Sequence, residues 1–372
     1  MTPKIACFFA TSGHSGVDRV VKNLLPGMVA AGYRVDLLKI RRHGPQLTGE
    51  EHGVRVIELK AKHVYTALPE LIRYLRRERP TVLLTDKDRV NRTALLARGI
   101  ARTETRLSVR IGTTVSVNLA SRGVIDRFLQ RNSMRYLYSL AEAVLIPSAG
   151  AADDFAAATG LARELISVVP SPIVTPDFTI RSEDPIDHAW FRDGEPPVIL
   201  GVGELSNRKD FATLLRAFAA MPGSSAYRLM IIGRGRQQAA LQLLATQLGI
   251  ADRFCLPGFV ANPYPYMKQA KLIALTSRWE GMPVALIEAL ALGTPVVSTD
   301  CPSGPREILE NGRIGPLVPV GDHRSFAQAM AQLLNAPPPR EALLQAVKPY
   351  HLENSVARYL AAMGLPDSAG AI

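Results

Sequence analysis

Two carboxylates and two adjacent cations are the residues of this chain best suited to chemistry. Glu280 and Glu288, with seven residues between them, lie in Thr276–Leu309, TSRWEGMPVALIEALALGTPVVSTDCPSGPREIL, where nearly everything else between and just after them is apolar. Arg208 and Lys209 stand together in Gly203-Glu204-Leu205-Ser206-Asn207-Arg208-Lys209-Asp210. A carboxylate inside an apolar helix is costly unless something hydrogen-bonds to it. Two neighbouring cations at the carboxyl end of a strand suit a diphosphate. A ligand carrying both hydroxyls and phosphate would satisfy all four groups. The alternative is structural: Glu288 paired with an arginine, Glu280 exposed, and Arg208 and Lys209 solvated.

The elements around these residues follow from local signals. Pro283 suits the start of a helix and Gly293 its end, so about Pro283 to Leu292 reads as a helix, apolar on all sides and therefore buried. Glu280 precedes it on a Glu-Gly-Met-Pro turn. Arg208 and Lys209 follow the strand Pro197–Val202 and precede the helix Phe211–Ala220. Apolar runs at Arg228–Ile232, Arg253–Leu256 and Lys271–Leu275 read as further strands, with helices at Gln237–Leu248, Asp322–Leu334 and about Leu352–Met363. The first half alternates in the same way. Lys4–Ala10, Arg34–Ile40, Arg55–Leu59, Thr81–Thr85, Arg106–Arg110, Ala143–Pro147 and Ile166–Val169 read as strands. Val17–Ala31, Tyr65–Arg79, Asn91–Gly99 and Gly150–Thr159 read as helices. Strands alternating with helices imply α/β units with parallel, doubly wound sheets. Ser171–Pro197, with five prolines and no clear periodicity, is the natural interdomain linker. In the first strand–turn–helix, Thr11-Ser12-Gly13-His14-Ser15-Gly16 could place amides before an anion, with His14 read as a turn residue.

At 372 residues and 47% apolar content the chain can build two ordinary cores. No apolar run reaches the length of a membrane span, and the N-terminus reads as a buried strand rather than a signal peptide. Three widely spaced cysteines (Cys7, Cys255, Cys301) make no metal spacing and suit a reducing cytoplasm. Asp86-Lys87-Asp88 reads as a solvated loop rather than a metal site. The net charge of +11 is unevenly placed: residues 1–178 carry +10, concentrated at Lys39–Arg42, Arg73–Arg79 and Arg122–Arg135. Such a face attracts phosphate-rich partners. Interleaved aromatic platforms and nucleic-acid motifs are lacking, which disfavours nucleic acid and leaves an anionic membrane surface, met peripherally, as the partner.

Taken together, these motifs resemble the family 4 retaining glycosyltransferases, of the glycosyltransferase group 1 type, over nearly the whole chain. The most specific part is the Glu280-to-Glu288 pair followed by Asp300-Cys301-Pro302-Ser303-Gly304-Pro305-Arg306-Glu307. Gly203–Asp210, Gly258-Phe259-Val260 with Pro263, Ser148–Val169 and Ser15-Gly16-Val17-Asp18-Arg19-Val20 support it. The resemblance implies the GT-B architecture: two Rossmann-like, doubly wound parallel-sheet domains facing a cleft. Residues 1–178, with 350–372 crossing back, would form the acceptor-side domain and 179–349 the nucleotide-sugar domain. The implied reaction moves a hexose from a nucleotide diphosphate sugar, taken as a UDP-sugar, to a glycan acceptor, taken as lipid-linked, in cell-surface polysaccharide or lipopolysaccharide synthesis. It requires no cofactor and no metal. The implied location is the cytoplasm, peripheral on the inner face of the plasma membrane.

Residue by residue, the resemblance implies that Lys209 and Arg208 hold the donor diphosphate beside Gly203. Glu288 takes the ribose hydroxyls. Glu280 and the amides of Gly281 and Met282, at the turn closed by Pro283, address the sugar and phosphate. Phe259 lines the base pocket, and Ser15 and Gly16 let backbone approach the diphosphate. Three departures stand out. Glu204 occupies a place where many members carry arginine, Ser15 replaces a glycine, and Ser108-Val109-Arg110 stands where a histidine is common. Arg110 is then open to two readings, an anion ligand or a structural salt bridge. A nucleotide-sugar epimerase on the same scaffold is the rival enzyme class.

Overall fold

Every apolar run read above as a strand is a strand in the computed structural model, which describes residues 3–10, 16–41, 44, 47, 52–112, 114–120 and 123–366. The chain divides into two units. Unit 1 comprises Met1–Ile173 and Tyr350–Ile372, and unit 2 comprises Val174–Pro349.

Unit 1 is built on β1 (Lys4–Phe8), β2 (Arg34–Ile40), β3 (Val54–Leu59), β4 (Val82–Asp86), β5 (Arg106–Arg110), β6 (Ala143–Ile146) and β7 (Ile166–Val168), in the order β3-β2-β1-β4-β5-β6-β7. All neighbouring pairs are parallel. The helices are α1 (Gly16–Ala30), α2 (Leu68–Glu78), α3 (Asp88–Ala101), α4 (Val115–Ala120), α5 (Val124–Tyr138) and α6 (Ala149–Thr159). The central strands are continuous apolar runs because helices cover both faces, so neither face alternates with polar residues. One face packs Phe8, Leu83, Leu107 and Val144, and the other packs Ile5, Cys7, Leu37, Leu84 and Leu145. The terminal helix Leu352–Ala362 belongs to this unit, burying Val356, Tyr359 and Leu360 in the second of these layers. Gly27 makes room for it on α1, since a Cβ there would stand 2.6 Å from Val356 Cγ2.

Unit 2 carries β8 (Val198–Val202), β9 (Arg228–Ile232), β10 (Phe254–Gly258), β11 (Leu272–Leu275), β12 (Val296–Thr299) and β13 (Leu317–Val318), ordered β10-β9-β8-β11-β12-β13 and again all parallel. Its principal helices are α7 (Phe211–Ala220), α8 (Val284–Ala291) and α9 (His323–Asn335). Asp322 caps α9 by accepting from the amides of Arg324 and Ser325. The proline-rich stretch after residue 173 is not a bare linker. Asp177–Arg181 is helical, Phe178 is buried against Tyr264, and Asn262 donates to the Arg181 carbonyl.

In an open parallel sheet the order of strands reverses at one point, and loops at the carboxyl ends there diverge to leave a crevice. In unit 2 that point lies between β8 and β11. The loop after β8 is Gly203–Asp210 and the loop after β11 opens at Thr276, so the sheet brings together the Arg208–Lys209 pair and the turn that carries Glu280.

Candidate active site

Close backbone packing shapes the loop after β8. Gly203 lies at φ +155°, and a Cβ there would stand 2.9 Å from Lys209 Cε, so the missing side chain lets the lysine stem lie across the backbone. The Leu205 amide donates to the Arg234 carbonyl while its side chain is fully buried, pinning the loop to the end of β9. Asp210 follows at φ +46°, and its carboxylate accepts from Thr213 Oγ1 at 3.0 Å and Arg278 Nε at 3.1 Å. The two loops are stapled together. The Arg278 amide donates to the Arg208 carbonyl at 2.8 Å, and Thr276 Oγ1 to the Lys209 carbonyl at 3.0 Å.

These staples bring the cations onto Glu280. Lys209 Nζ lies 2.6 Å from Glu280 Oε1, Arg208 Nη1 lies 2.6 Å from Oε2, and Ser277 Oγ donates to Oε1 at 2.7 Å. Glu280 is 4% exposed and Lys209 8%. Burial pulls the Glu280 carboxyl upward, but Lys209 and then Arg208 outweigh it and hold the group below its ordinary value. Ser303 Oγ donates to the Glu280 carbonyl at 2.7 Å and so fixes the backbone behind the carboxylate. Glu280 is therefore neither exposed nor separate from the cations, and the three side chains form one network.

Glu288 sits within α8 at 3% exposure and accepts from Tyr264 Oη at 3.1 Å. That donor is a phenol. Tyr264 is itself buried, its ring tilted at 50° against that of Phe178 with centroids 4.4 Å apart, and covered by the Arg181 guanidinium at 4.8 Å. The helix begins at Val284, one residue later than the proline signal suggested, with Pro283 at the N-cap position and no side-chain cap. Gly281 and Met282, both half-buried, form the turn between Glu280 and Pro283. Gly304, at φ +93°, packs so tightly on Pro283 that a Cβ would stand 2.4 Å from Pro283 Cδ. Phe259 is 63% exposed, and Arg234 faces its ring at 5.8 Å.

In unit 1 the candidates fare differently. Gly16 opens α1, while His14 and Ser15 lie outside the described residues. Arg110 has its partners within unit 1. It is 4% exposed, and its guanidinium donates to Asp86 Oδ2 at 2.9 Å, Tyr359 Oη at 2.8 Å and Ser171 Oγ at 3.1 Å. All three of its nitrogens thus have partners, Asp86 forming the ion pair. Asp86 is thereby occupied, and Asp88 is bound by Arg92 and Tyr138, so the Asp-Lys-Asp stretch serves internal contacts. A cavity of about 500 Å³ opens at the carboxyl end of this sheet, lined by Ala10, Lys87, Arg89, Ile111, Met134 and Tyr138 among others.

Sequence reasoning missed Ser277, Ser303, Tyr264 and Arg234. Ser277 had a usable signal, three residues before Glu280. Arg234 also had one, between two glycines directly after a strand. Tyr264 and Ser303 meet their partners only through the fold.

Comparison with known proteins bears on both units. The family model described as glycosyl transferases group 1 matches residues 182–348, and the model described as a glycosyl transferase 4-like domain matches residues 15–172. A relative from Campylobacter jejuni is 27% identical over 359 residues, covering 93% of this chain and 94% of its own. It is an N-acetylgalactosamine-N,N'-diacetylbacillosaminyl-diphospho-undecaprenol 4-alpha-N-acetylgalactosaminyltransferase. Among solved structures, Anabaena HepE in complex with UDP superposes with a TM-score of 0.80 at 18% identity, over 97% of this chain and 99% of that one. The apo form of the lipopolysaccharide outer core galactosyltransferase WaaB gives 0.76 at 20% identity, with the same coverage.

Proposed function

Because this chain belongs to the group 1 glycosyl transferases, with a glycosyl transferase 4-like first unit, we propose that it moves a hexose from a UDP-sugar to a lipid-linked glycan. The transfer proceeds with retention at the anomeric carbon and serves cell-surface polysaccharide or lipopolysaccharide synthesis. The observation that carries this reading is the Arg208–Lys209–Glu280 network at the switch point of unit 2. Two cations on one carboxylate leave a surplus positive charge, and Arg208 retains 34% side-chain exposure toward an incoming anion. The UDP held by HepE and the diphospho-undecaprenol acceptor in the name of the Campylobacter relative support the donor and acceptor classes.

In the reaction the bond from the anomeric carbon to the β-phosphate oxygen breaks and its electron pair leaves with UDP. An acceptor hydroxyl oxygen bonds to the same carbon from the same face, and its proton passes to the departing phosphate. Lys209 and Arg208 meet the charge growing on that phosphate. Glu280, fixed by Ser277 and Ser303, faces the sugar hydroxyls, with the turn amides of Gly281 and Met282 beside the phosphate. Glu288, oriented by Tyr264, takes the ribose hydroxyls, and Phe259 with Arg234 receives the base. No protein nucleophile is needed when donor and acceptor are held on one face.

The protein works in this reading from the cytoplasm, peripheral on the inner face of the plasma membrane. Among the described residues no helix is long and apolar enough to cross a membrane, and the basic excess of residues 1–178 suits anionic lipid. The relatives reported above are transferases, which leaves the epimerase alternative without support.

Thermal shift against nucleotide diphosphates tests the donor, since a ligand at a hundred times its Kd adds about 2.7 kcal/mol of stability. UDP should stabilise the protein, and UDP-sugar should be consumed only when a lipid-linked glycan is present. No stabilisation by UDP, or conversion of the donor to its epimer without acceptor, would overturn the reading.

A further inference from the structure

A second cavity of unit 1, of about 680 Å³, lies at the amino edge of its sheet, where residues 79–81 lead from α2 into β4 and residues 102–105 from α3 into β5. The cavity described above opens at the opposite, carboxyl edge. Its size is that of a small-molecule pocket. Four arginines line it (Arg76, Arg79, Arg102 and Arg106) against one acid, Glu104.

Two of the four are fixed. Arg76 Nη2 donates to the Ile100 carbonyl at 3.0 Å, and Arg106 Nη1 to the Gly364 carbonyl at 3.0 Å. Arg76 thereby neutralises the carboxyl end of α3, an ordinary structural use of arginine. Arg79 and Arg102 have no such task. Both are exposed, and among the described residues their guanidiniums form no ion pair or hydrogen bond. They stand at φ +42° and +52°, where glycine is the relaxed choice. The neighbouring acids do not balance them. Glu78 is bound by Lys4, Arg55 and Arg77, and Glu142 by Arg98.

The wall of the cavity gives a second, independent sign. Thr105 is 3% exposed, and neither its Oγ1 nor that of Thr103 has a hydrogen-bond partner. A buried hydroxyl left unmet is costly, and native folds rarely keep one without a use. Rotation about χ1 exchanges a threonine's methyl and hydroxyl in nearly the same space, so each residue can turn its donor into the cavity. We propose that this cavity binds the phosphate group of a soluble phosphate ester of sugar-phosphate size. Arg79 and Arg102 close on the phosphate oxygens as forks, Arg76 and Arg106 add fixed positive charge, and Thr103 and Thr105 donate from the wall. The volume leaves room for an organic body beside the phosphate. This site lies outside the proposed transfer machinery and does not depend on the transferase reading.

Calorimetric titration of the full chain with inorganic phosphate and with glucose 1-phosphate, beside uncharged glucose, tests this. Both phosphates should bind and glucose should not, and about 0.5 M salt should weaken the binding. Arg79→Gln with Arg102→Gln should lower affinity for glucose 1-phosphate at least tenfold, as loss of charge-assisted hydrogen bonds requires. Thr105→Val should lower it several-fold while holding or raising the melting temperature, since it removes an unmet polar group. Lys209→Ala should bind glucose 1-phosphate as the wild type does. Loss of binding in Lys209→Ala would place the probe in unit 2 and overturn the proposal. Unchanged affinity in the arginine or the valine variant would overturn it as well, as would failure of the wild type to bind either phosphate. Displacement of glucose 1-phosphate by phosphatidylglycerol vesicles would hand the arginines to lipid headgroups and overturn the soluble ligand. Stabilisation by UDP, measured on the same variants, should be unchanged and reports on the donor reading separately.

Discussion

Arg110 and Lys209 are both buried cations at the carboxyl end of a parallel sheet, each against a buried carboxylate, yet their surroundings differ. Arg110 is closed off. One cation faces one carboxylate, Asp86, and Tyr359 and Ser171 take its other nitrogens, so the cluster is neutral and satisfied from within. Lys209 shares Glu280 with Arg208, whose side chain reaches solvent, so that network keeps a positive surplus and an open side. A buried charge by itself marks no site. Unbalanced sign and donor capacity left toward solvent mark one.

The largest expected effect comes from opening the closed cluster. Arg110→Ala leaves Asp86, 1% exposed, without its cation, and breaking a buried pair this way costs about 3–5 kcal/mol. Urea unfolding should show that loss in unit 1, while UDP still stabilises whatever protein is folded. A stable Arg110→Ala protein without turnover would erase the distinction and place Arg110 among the ligand groups.

Breaking the open network should instead spare the fold and reduce chemistry. Lys209→Ala removes the cation proposed to meet charge that grows on the leaving diphosphate, and turnover should fall by about 10²-fold or more. Arg208→Ala should also be costly, because Glu204 supplies no substitute cation. Steady-state kinetics on folded protein, monitored by its melting temperature, checks both. Unchanged kcat in Lys209→Ala would remove that residue from the site.

The same contrast explains what the sequence reveals. The strands, the helix around Glu288 and the loop holding Arg208 and Lys209 were legible, since apolar runs, Pro and Gly punctuation and a charged pair at a strand end are local signals. Arg110 was ambiguous because its deciding partners, Ser171 and Tyr359, stand 61 and 249 positions away. Tyr264 was missed for the same reason, meeting Glu288 across 24 positions. Helix α5 showed only as the basic stretch Arg122–Arg135. Its apolar residues face outward, so no core-facing stripe was there to be read.

Glu288 and Glu280 should separate in kind as well as size. Glu288 is assigned to the ribose, which hardly changes as the glycosidic bond breaks, so Glu288→Gln removes binding common to ground and transition states. KM for the donor should rise by about tenfold, the scale of one charge-assisted hydrogen bond, with kcat nearly constant. Tyr264→Phe, which leaves the carboxylate in place but less well oriented, should shift KM in the same direction by less. A fall in kcat at constant KM would show that this carboxylate faces the reacting centre.

The smallest expected change is the most diagnostic one, the affinity of Glu280→Gln for free UDP. In the folded protein Glu280 neutralises part of the charge that the diphosphate must find, since both Lys209 and Arg208 lie 2.6 Å from its oxygens. Removing its charge while keeping its volume raises the local positive surplus. UDP should therefore bind slightly more tightly, by about 1 kcal/mol or less at the effective dielectric of a half-open site. Turnover should nevertheless fall, because in the proposed role Glu280 gives the sugar a contact that strengthens as its ring gains positive charge. Acid stability supplies a second reading of the same carboxylate. Its proton affinity is depressed in the fold below the ordinary value of 4.5, against the opposing effect of burial. The unfolded chain thus binds the proton more readily, so the stability contributed is present above pH 4.5 and is lost as pH falls through the folded value. Glu280→Gln should flatten that acid limb relative to wild type, and calorimetric titration with UDP at neutral pH should show unchanged or tighter binding. If Glu280→Gln loses UDP while Glu288→Gln keeps it, the two glutamates have exchanged roles and the open network binds its ligand through the carboxylate rather than the cations.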